Sequence, residues 1–332
     1  MVTYVLDGTS SAQLPKRPLA VTMSVTGAVG AAALVARRDG IIDTSVIAHS
    51  PGMLIVPRVD HDVVISAVPS GSLSTFPQGT VLHVAVGLDS SNDLDPDRAQ
   101  LTPRDVSGLS ALELAVISPS GSEQVSVTTR LIRPELPLTP LAARARSAAR
   151  GALGVDQLPA GRQVEVVVVV DASLSMASLI SDGSVGAAIH IATGVAAVLS
   201  AGAPVRAVLS GRTVTEVALE GDDFTAAFES AVASTGMGVG AALAEPVVAQ
   251  DGAQLTIAVT DAPTQVASRG LSTQLVLSPS RAALTDPNFV GAVCPPPLPG
   301  ENAVDRLLAE PALVDEVVGR LLAVLNVRSP SL

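Results

Sequence analysis

Five consecutive valines, Val166 to Val170, run into Asp171, and the chain continues Ala172-Ser173-Leu174-Ser175. β-Branched side chains are stiff at χ1 and favour extended backbone, so the run predicts a strand. It has no polar alternation, which predicts burial on both faces, as in the middle of a parallel sheet. In open α/β sheets ligands gather beyond the carboxyl ends of the strands. Asp171, Ser173 and Ser175 stand at that end, three oxygen-bearing side chains at alternate positions, and are the first candidates for a binding site.

From residue 163 the pattern alternates strands with helices. After the valine strand, SVGAAIHIATGVAAVLS reads as a helix, and PVRAVLS and TVTEVALE read as strands in a hairpin around Gly211-Arg212. DDFTAAFESAVAS opens with acidic residues, as a helix N-terminus prefers. GVGAALAEPVVAQ predicts a further helix interrupted near Pro246. QLTIAVTD, TQLVLS and NFVGAV predict strands, and AVDRLLAEPALVDEVVGRLLAVL one or two closing helices. This alternation implies a doubly wound α/β domain over residues 163–327.

Residues 1–134 read differently. Short β-rich runs, among them LAVTMSV, GAAALVA, GMLIVPRV, DVVISAV, TVLHVAVGL, LELAVIS and QVSVTTRLI, are separated by turn clusters. Many short strands at such spacing predict an all-β sandwich. Within it, PLAVTMSVTGAVGAAALVA follows Lys16-Arg17 and mimics a signal peptide or membrane span, yet Thr, Ser and Gly dilute the run and ARRDG supplies a turn. It is read as two strands, in a cytoplasmic protein without a membrane partner. Residues 135–162 read as a helical linker in which Arg144, Arg146 and Arg150 form a solvated basic face.

Composition narrows the function. The chain is 48% hydrophobic but 2% aromatic, without Trp, so its cores must be aliphatic. Few aromatics and a net charge of -11 argue against nucleic-acid partners. Lys16 is the sole lysine, which leaves almost no material for Schiff-base or P-loop chemistry. Cys294 stands alone and reads as a small buried apolar residue. The four histidines lack metal-ligand spacing and read as structural. SSNDLDPDR has the opening spacing of a calcium loop, but Arg98 and Arg104 occupy its obligatory Gly and Glu positions, so it reads as a solvated turn.

A second carboxylate, Asp261, ends the strand QLTIAVTD. Carboxylates and hydroxyls without His or Cys suit a hard cation, Mg²⁺ or Mn²⁺. On DASLSM and IAVTDAP the segment 163–327 resembles the von Willebrand factor A domain, whose metal-ion-dependent adhesion site is built on D-x-S-x-S, a Thr and a later Asp. The stretch VVDASLSMASLISDGSVGAAIHIATGVAAVL further resembles the A-type domain of tellurite-resistance TerF-like proteins. Those proteins carry a TerD-type amino-terminal β-domain, and residues 30–89 are distantly similar to it.

The resemblance implies a Rossmann-like, doubly wound domain and a non-enzymatic interaction module of tellurite-resistance or stress-response systems. It implies Mg²⁺ or Mn²⁺ at Asp171, Ser173, Ser175 and Asp261, and a protein partner that offers an acidic side chain to the metal. The family's threonine ligand aligns with Met237, so Thr235 is taken as its substitute. Leu174 stands where the family has Gly, and GAVG where TerD proteins carry the D-L-D element that binds calcium.

Two other readings remain open. One is a metal-free scaffold, with Asp171 capping its own turn. The other is an aspartyl-phosphate phosphotransferase, but Ser173 holds that chemistry's second Asp position and no lysine follows Lys16.

Overall fold

Strand β3 (Leu19–Thr26) buries Leu19 and Val21 and turns Thr22 and Ser24 to water, the period of two that gives a sheet one dry face. The computed structural model describes residues 3–89, 97–130, 138–158, 161–200, 203–211, 213–219, 221–239, 253–264 and 271–326. The chain divides into two compact units, Met1–Leu136 and Pro137–Leu332.

Among its described residues the first unit is built from sheets, with no helix. Its strands are β1 (Thr3–Leu6), β2 (Ser11–Pro15), β3, β4 (Ala32–Arg38), β5 (Ile41–Ile42), β6 (Ile47–Ser50), β7 (Met53–Val56), β8 (Val63–Pro69), β9 (Val81–Leu88), β10 (Arg98–Leu101), β11 (Arg104–Asp105), β12 (Leu112–Ser120) and β13 (Gln124–Thr129). One sheet runs β1-β10-β9-β3-β7-β6 with β11 also on β9, and the other runs β2-β13-β12-β8-β4-β5. Leu19, Val21, Val84 and Val86 of the first share one core with Leu34, Ile65, Ile117 and Val127 of the second. Phe76 is the aromatic residue in that aliphatic core. The signal-like stretch is β3 and β4.

Between β5 and β6 the buried carboxylate of Asp43 accepts hydrogen bonds from Arg38 Nη2 (3.0 Å), Ser45 N (3.0 Å), Ser45 Oγ (2.6 Å) and His61 Nε2 (3.0 Å). The His61 bond first, then those of Ser45, outweigh burial and hold this carboxyl far below the usual carboxylate range. Its folded value thus lies below its unfolded one. The stability it contributes is fully present above the unfolded carboxylate value of about 3.9. That stability is lost as pH falls from there through the folded value. Urea unfolding followed from pH 5 down to pH 2 should lose stability steeply, and Asp43→Asn should flatten that loss. An unchanged slope in the variant would assign the acid sensitivity elsewhere.

In the second unit the valine run is β14 (Val164–Asp171), the centre of a sheet ordered β16-β15-β14-β17-β18-β19. Its members are β15 (Arg206–Ser210), β16 (Val214–Val217), β17 (Ala253–Thr260), β18 (Leu271–Leu277) and β19 (Gly291–Cys294). All pair in parallel except β16, which returns antiparallel on β15 as the hairpin expected from sequence. Val166, Val168 and Val170 pack into one core with α1 (Pro140–Leu153), α3 (Ser184–Leu199) and α6 (Pro311–Asn326). Val167 and Val169 enter a separate buried cluster with Val208 and Ala258. Both faces of β14 are therefore dry, and the sequence shows no alternation. Further helices are α2 (Ala177–Ser181), α4 (Phe224–Thr235), which starts where the Asp223 carboxylate caps Ala226 N, and α5 (Ala303–Ala309). Among the described residues no single helix is long and apolar enough to cross a membrane.

The stretch read as a linker contributes a core helix. α1 is capped by the Thr139 hydroxyl on Ala142 N, has Pro140 in its first turn, and ends at the left-handed Gly154. Leu141, Ala145 and Ala149 lie in the helical core. The solvated basic face is corrected with it: Arg146 and Arg150 are only 7% and 1% exposed. Arg150 pairs with Asp156 at 2.5 Å, and Arg144 pairs with Asp315 of α6. Long aliphatic stems let arginine enter a helix interface while its head finds a carboxylate. The helix expected over residues 238–250 lies outside the described residues from 240 onward, as do residues 90–96 of the acidic loop.

Candidate functional site

From β14 the chain runs out to β15 and β16, returns, and resumes with β17 on the opposite side of β14. The carboxyl ends of β14 and β17 thus flank the point where the winding reverses, the crevice where open α/β sheets bind ligands. Asp171 ends β14, and Asp261 follows β17 directly.

Asp171 is 1% exposed and holds the loop after it in shape. Its Oδ1 accepts from Ser173 N at 2.9 Å and its Oδ2 from Ser173 Oγ at 2.9 Å. The Ser173 and Ser175 hydroxyls lie 2.9 Å apart. Thr260, absent from the sequence candidates, donates to Asp171 Oδ2 at 3.4 Å. Its signal was its place beside Asp261 at the end of β17. Ser173 opens a 3₁₀ turn over Leu174–Met176 that directs Ser175 toward solvent. These groups line an open cavity of about 370 Å³ with Leu174, Val239 and Asp261. The Asp261 carboxylate accepts no hydrogen bond among the described residues.

The spacing tests the fit of a cation. Adjacent ligands of octahedral Mg²⁺, each about 2.0–2.1 Å from the ion, lie about 2.9 Å apart. Asp171 Oδ2 to Ser173 Oγ and Ser173 Oγ to Ser175 Oγ both have that separation. The hydroxyl protons lie along these edges, so accepting an ion requires them to turn outward. Among the described residues no group of three or more His, Cys, Asp or Glu gathers around a common point. A cation here would rest on two carboxylates and two hydroxyls, a set for Mg²⁺ or Mn²⁺.

Thr235 does not join this set. Its hydroxyl donates to the Ala231 carbonyl at 2.7 Å within the last turn of α4, and it does not line the cavity. Helix α4 extends through Thr235, and the i−4 carbonyl takes the hydroxyl. Met237 packs against the helical core. The loop instead reaches the site through Gly238 and Val239.

A second cavity of about 370 Å³ lies where α3 meets the starts of α4 and α5. His190 lines it, nearly buried, with Nδ1 2.9 Å from Thr139 Oγ1 and its ring 4.5 Å from that of Phe224. Desolvation lowers its pKa, against the opposing pull of Asp222. In β19, burial pushes the Cys294 thiol up to about 12, so it sits there as a small neutral core group.

No family model, curated protein or solved structure matches this chain.

Proposed function

We propose that the second unit is a doubly wound A domain of the von Willebrand factor kind and acts as a non-enzymatic interaction module. It binds Mg²⁺ or Mn²⁺ through Asp171, Ser173, Ser175 and Asp261, and through that ion captures an acidic side chain of a protein partner. The observation that carries this reading is that both carboxylates and the two serine hydroxyls line one cavity at the reversal of the sheet, with Asp171 Oδ2, Ser173 Oγ and Ser175 Oγ in 2.9 Å steps. The ion supplies positive charge and an open coordination position. The chain supplies the pre-formed loop, held by the Asp171 bonds to Ser173. Catalysis through an aspartyl-phosphate lacks its partners, since Ser173 follows Asp171 at the second Asp position and Lys16 lies in the other unit. We place the module in cytoplasmic tellurite-resistance or stress-response systems, with the first unit as a diverged TerD-type domain.

One observation favours the alternative of a metal-free scaffold: Thr235 is engaged within its helix and Met237 within the core. Affinity capture with the full chain separates the two. The metal-dependent module should retain its partners in Mg²⁺, release them with EDTA, and fail to capture them as Asp171→Ala with the fold intact. A partner set indifferent to chelator would leave the scaffold.

A further inference from the structure

A short parallel bridge joins the serine loop to the loop after α4. Gly238 N donates to the Ala172 carbonyl at 2.9 Å, and the Gly238 carbonyl accepts from Leu174 N at 3.0 Å, pairing Ser173 with Gly238. Leu174 and Val239 directly follow the two bridged residues, both line the mouth of the cavity, and they are 62% and 93% exposed. Exposed Ala262 and Pro263 line the same cavity. A single exposed aliphatic side chain is ordinary. Two of them, on loops joined by the adjoining Ser173–Gly238 bridge and lining one cavity with the carboxylates and hydroxyls, make an apolar lip beside a charged seat.

Resting on the metal-dependent reading, we infer that Leu174 and Val239 set the specificity of this site for a protein segment in which the captured carboxylate is followed by a branched aliphatic residue. The acidic side chain reaches the floor, and its neighbour covers the lip. The opening lies at the low end of the ~300–1,000 Å³ typical of ligand pockets, room for side chains rather than for a long acyl chain. The net charge of -11 also opposes an anionic membrane surface.

The test uses the full-length protein with saturating Mn²⁺ and two peptides, acetyl-Gly-Asp-Leu-Gly-amide and acetyl-Gly-Asp-Ser-Gly-amide, in calorimetry. The leucine peptide should bind about tenfold tighter, the effect of burying one isobutyl group. In the double variant Leu174→Ala, Val239→Ala that preference should collapse to about twofold or less, with the Mn²⁺ affinity of the protein unchanged. Equal affinity for the two peptides on metal-loaded wild type would overturn the specificity and leave the metal reading standing. No Mn²⁺ binding would remove the metal reading and this inference with it. Tighter binding of octanoate than of the leucine peptide would replace the protein segment with a free aliphatic acid.

Discussion

Calorimetric titration of Mg²⁺ or Mn²⁺ into the full chain is expected to give one site, and Asp171→Ala to give none. Asp171 contributes negative charge to the floor and also fixes Ser173 through two hydrogen bonds, so its removal takes away a ligand and the geometry of the next one. The buried donors left behind would cost about 1–3 kcal/mol each in stability, so circular dichroism must first show the variant folded. Asp261→Asn avoids that difficulty, because this carboxylate supports no hydrogen bond among the described residues. It should weaken the ion about tenfold, as expected when a charged ligand is neutralised. Metal at about a hundred times its Kd should raise stability by about 2.7 kcal/mol through mass action, a second readout independent of heat. Met237→Thr should not tighten binding, because it removes an apolar side chain from the core. Absence of heat and of thermal stabilisation up to millimolar metal would end the metal proposal.

The second large effect concerns α1. Gly194 lies in the middle of α3, where replacing glycine by alanine ordinarily stabilises a helix by about 1 kcal/mol. Here the sign should invert. A Cβ at Gly194 would stand 2.2 Å from the Ala142 carbonyl oxygen, 2.7 Å from Ala145 Cβ and 2.8 Å from Arg146 N. Two of those three atoms are backbone, so α1 itself must lift from α3. Overpacking of this kind costs about 1–3 kcal/mol or more, and lifting α1 would also disturb the buried heads of Arg146 and Arg150. Gly194→Ala should therefore lose about 3 kcal/mol in urea unfolding at neutral pH. A neutral or stabilised variant would mean that α1 does not pack on α3 in solution.

The contrast between these two cases shows what the sequence made legible. Val166–Val170 announced a central strand because burial on both faces removes alternation, and that fixes where Asp171, Ser173 and Ser175 stand. Asp261 was legible for the same reason at the end of β17. Thr235 misled because α4 runs one residue past the helix read from sequence and takes Thr235 into its last turn, where the Ala231 carbonyl engages the hydroxyl. The basic face of α1 misled because charge argues for solvent, whereas alanines at 142, 145 and 149 argue for close packing. Strands β1, β2 and β10 went unread because TYVL, SAQLP and RAQL are short and owe their strand form to pairing with neighbouring strands.

The aliphatic make-up of both cores has an optical consequence. The chain has no tryptophan and one tyrosine, Tyr4, which lies on β1 and pairs with Ala99. Tyrosine emission therefore reports on the first unit alone, while the second is almost dark. A single indole introduced as Leu174→Trp would be the only one in the molecule, placed at the mouth of the cavity. Its fluorescence would follow events at that mouth with no background from the rest of the protein.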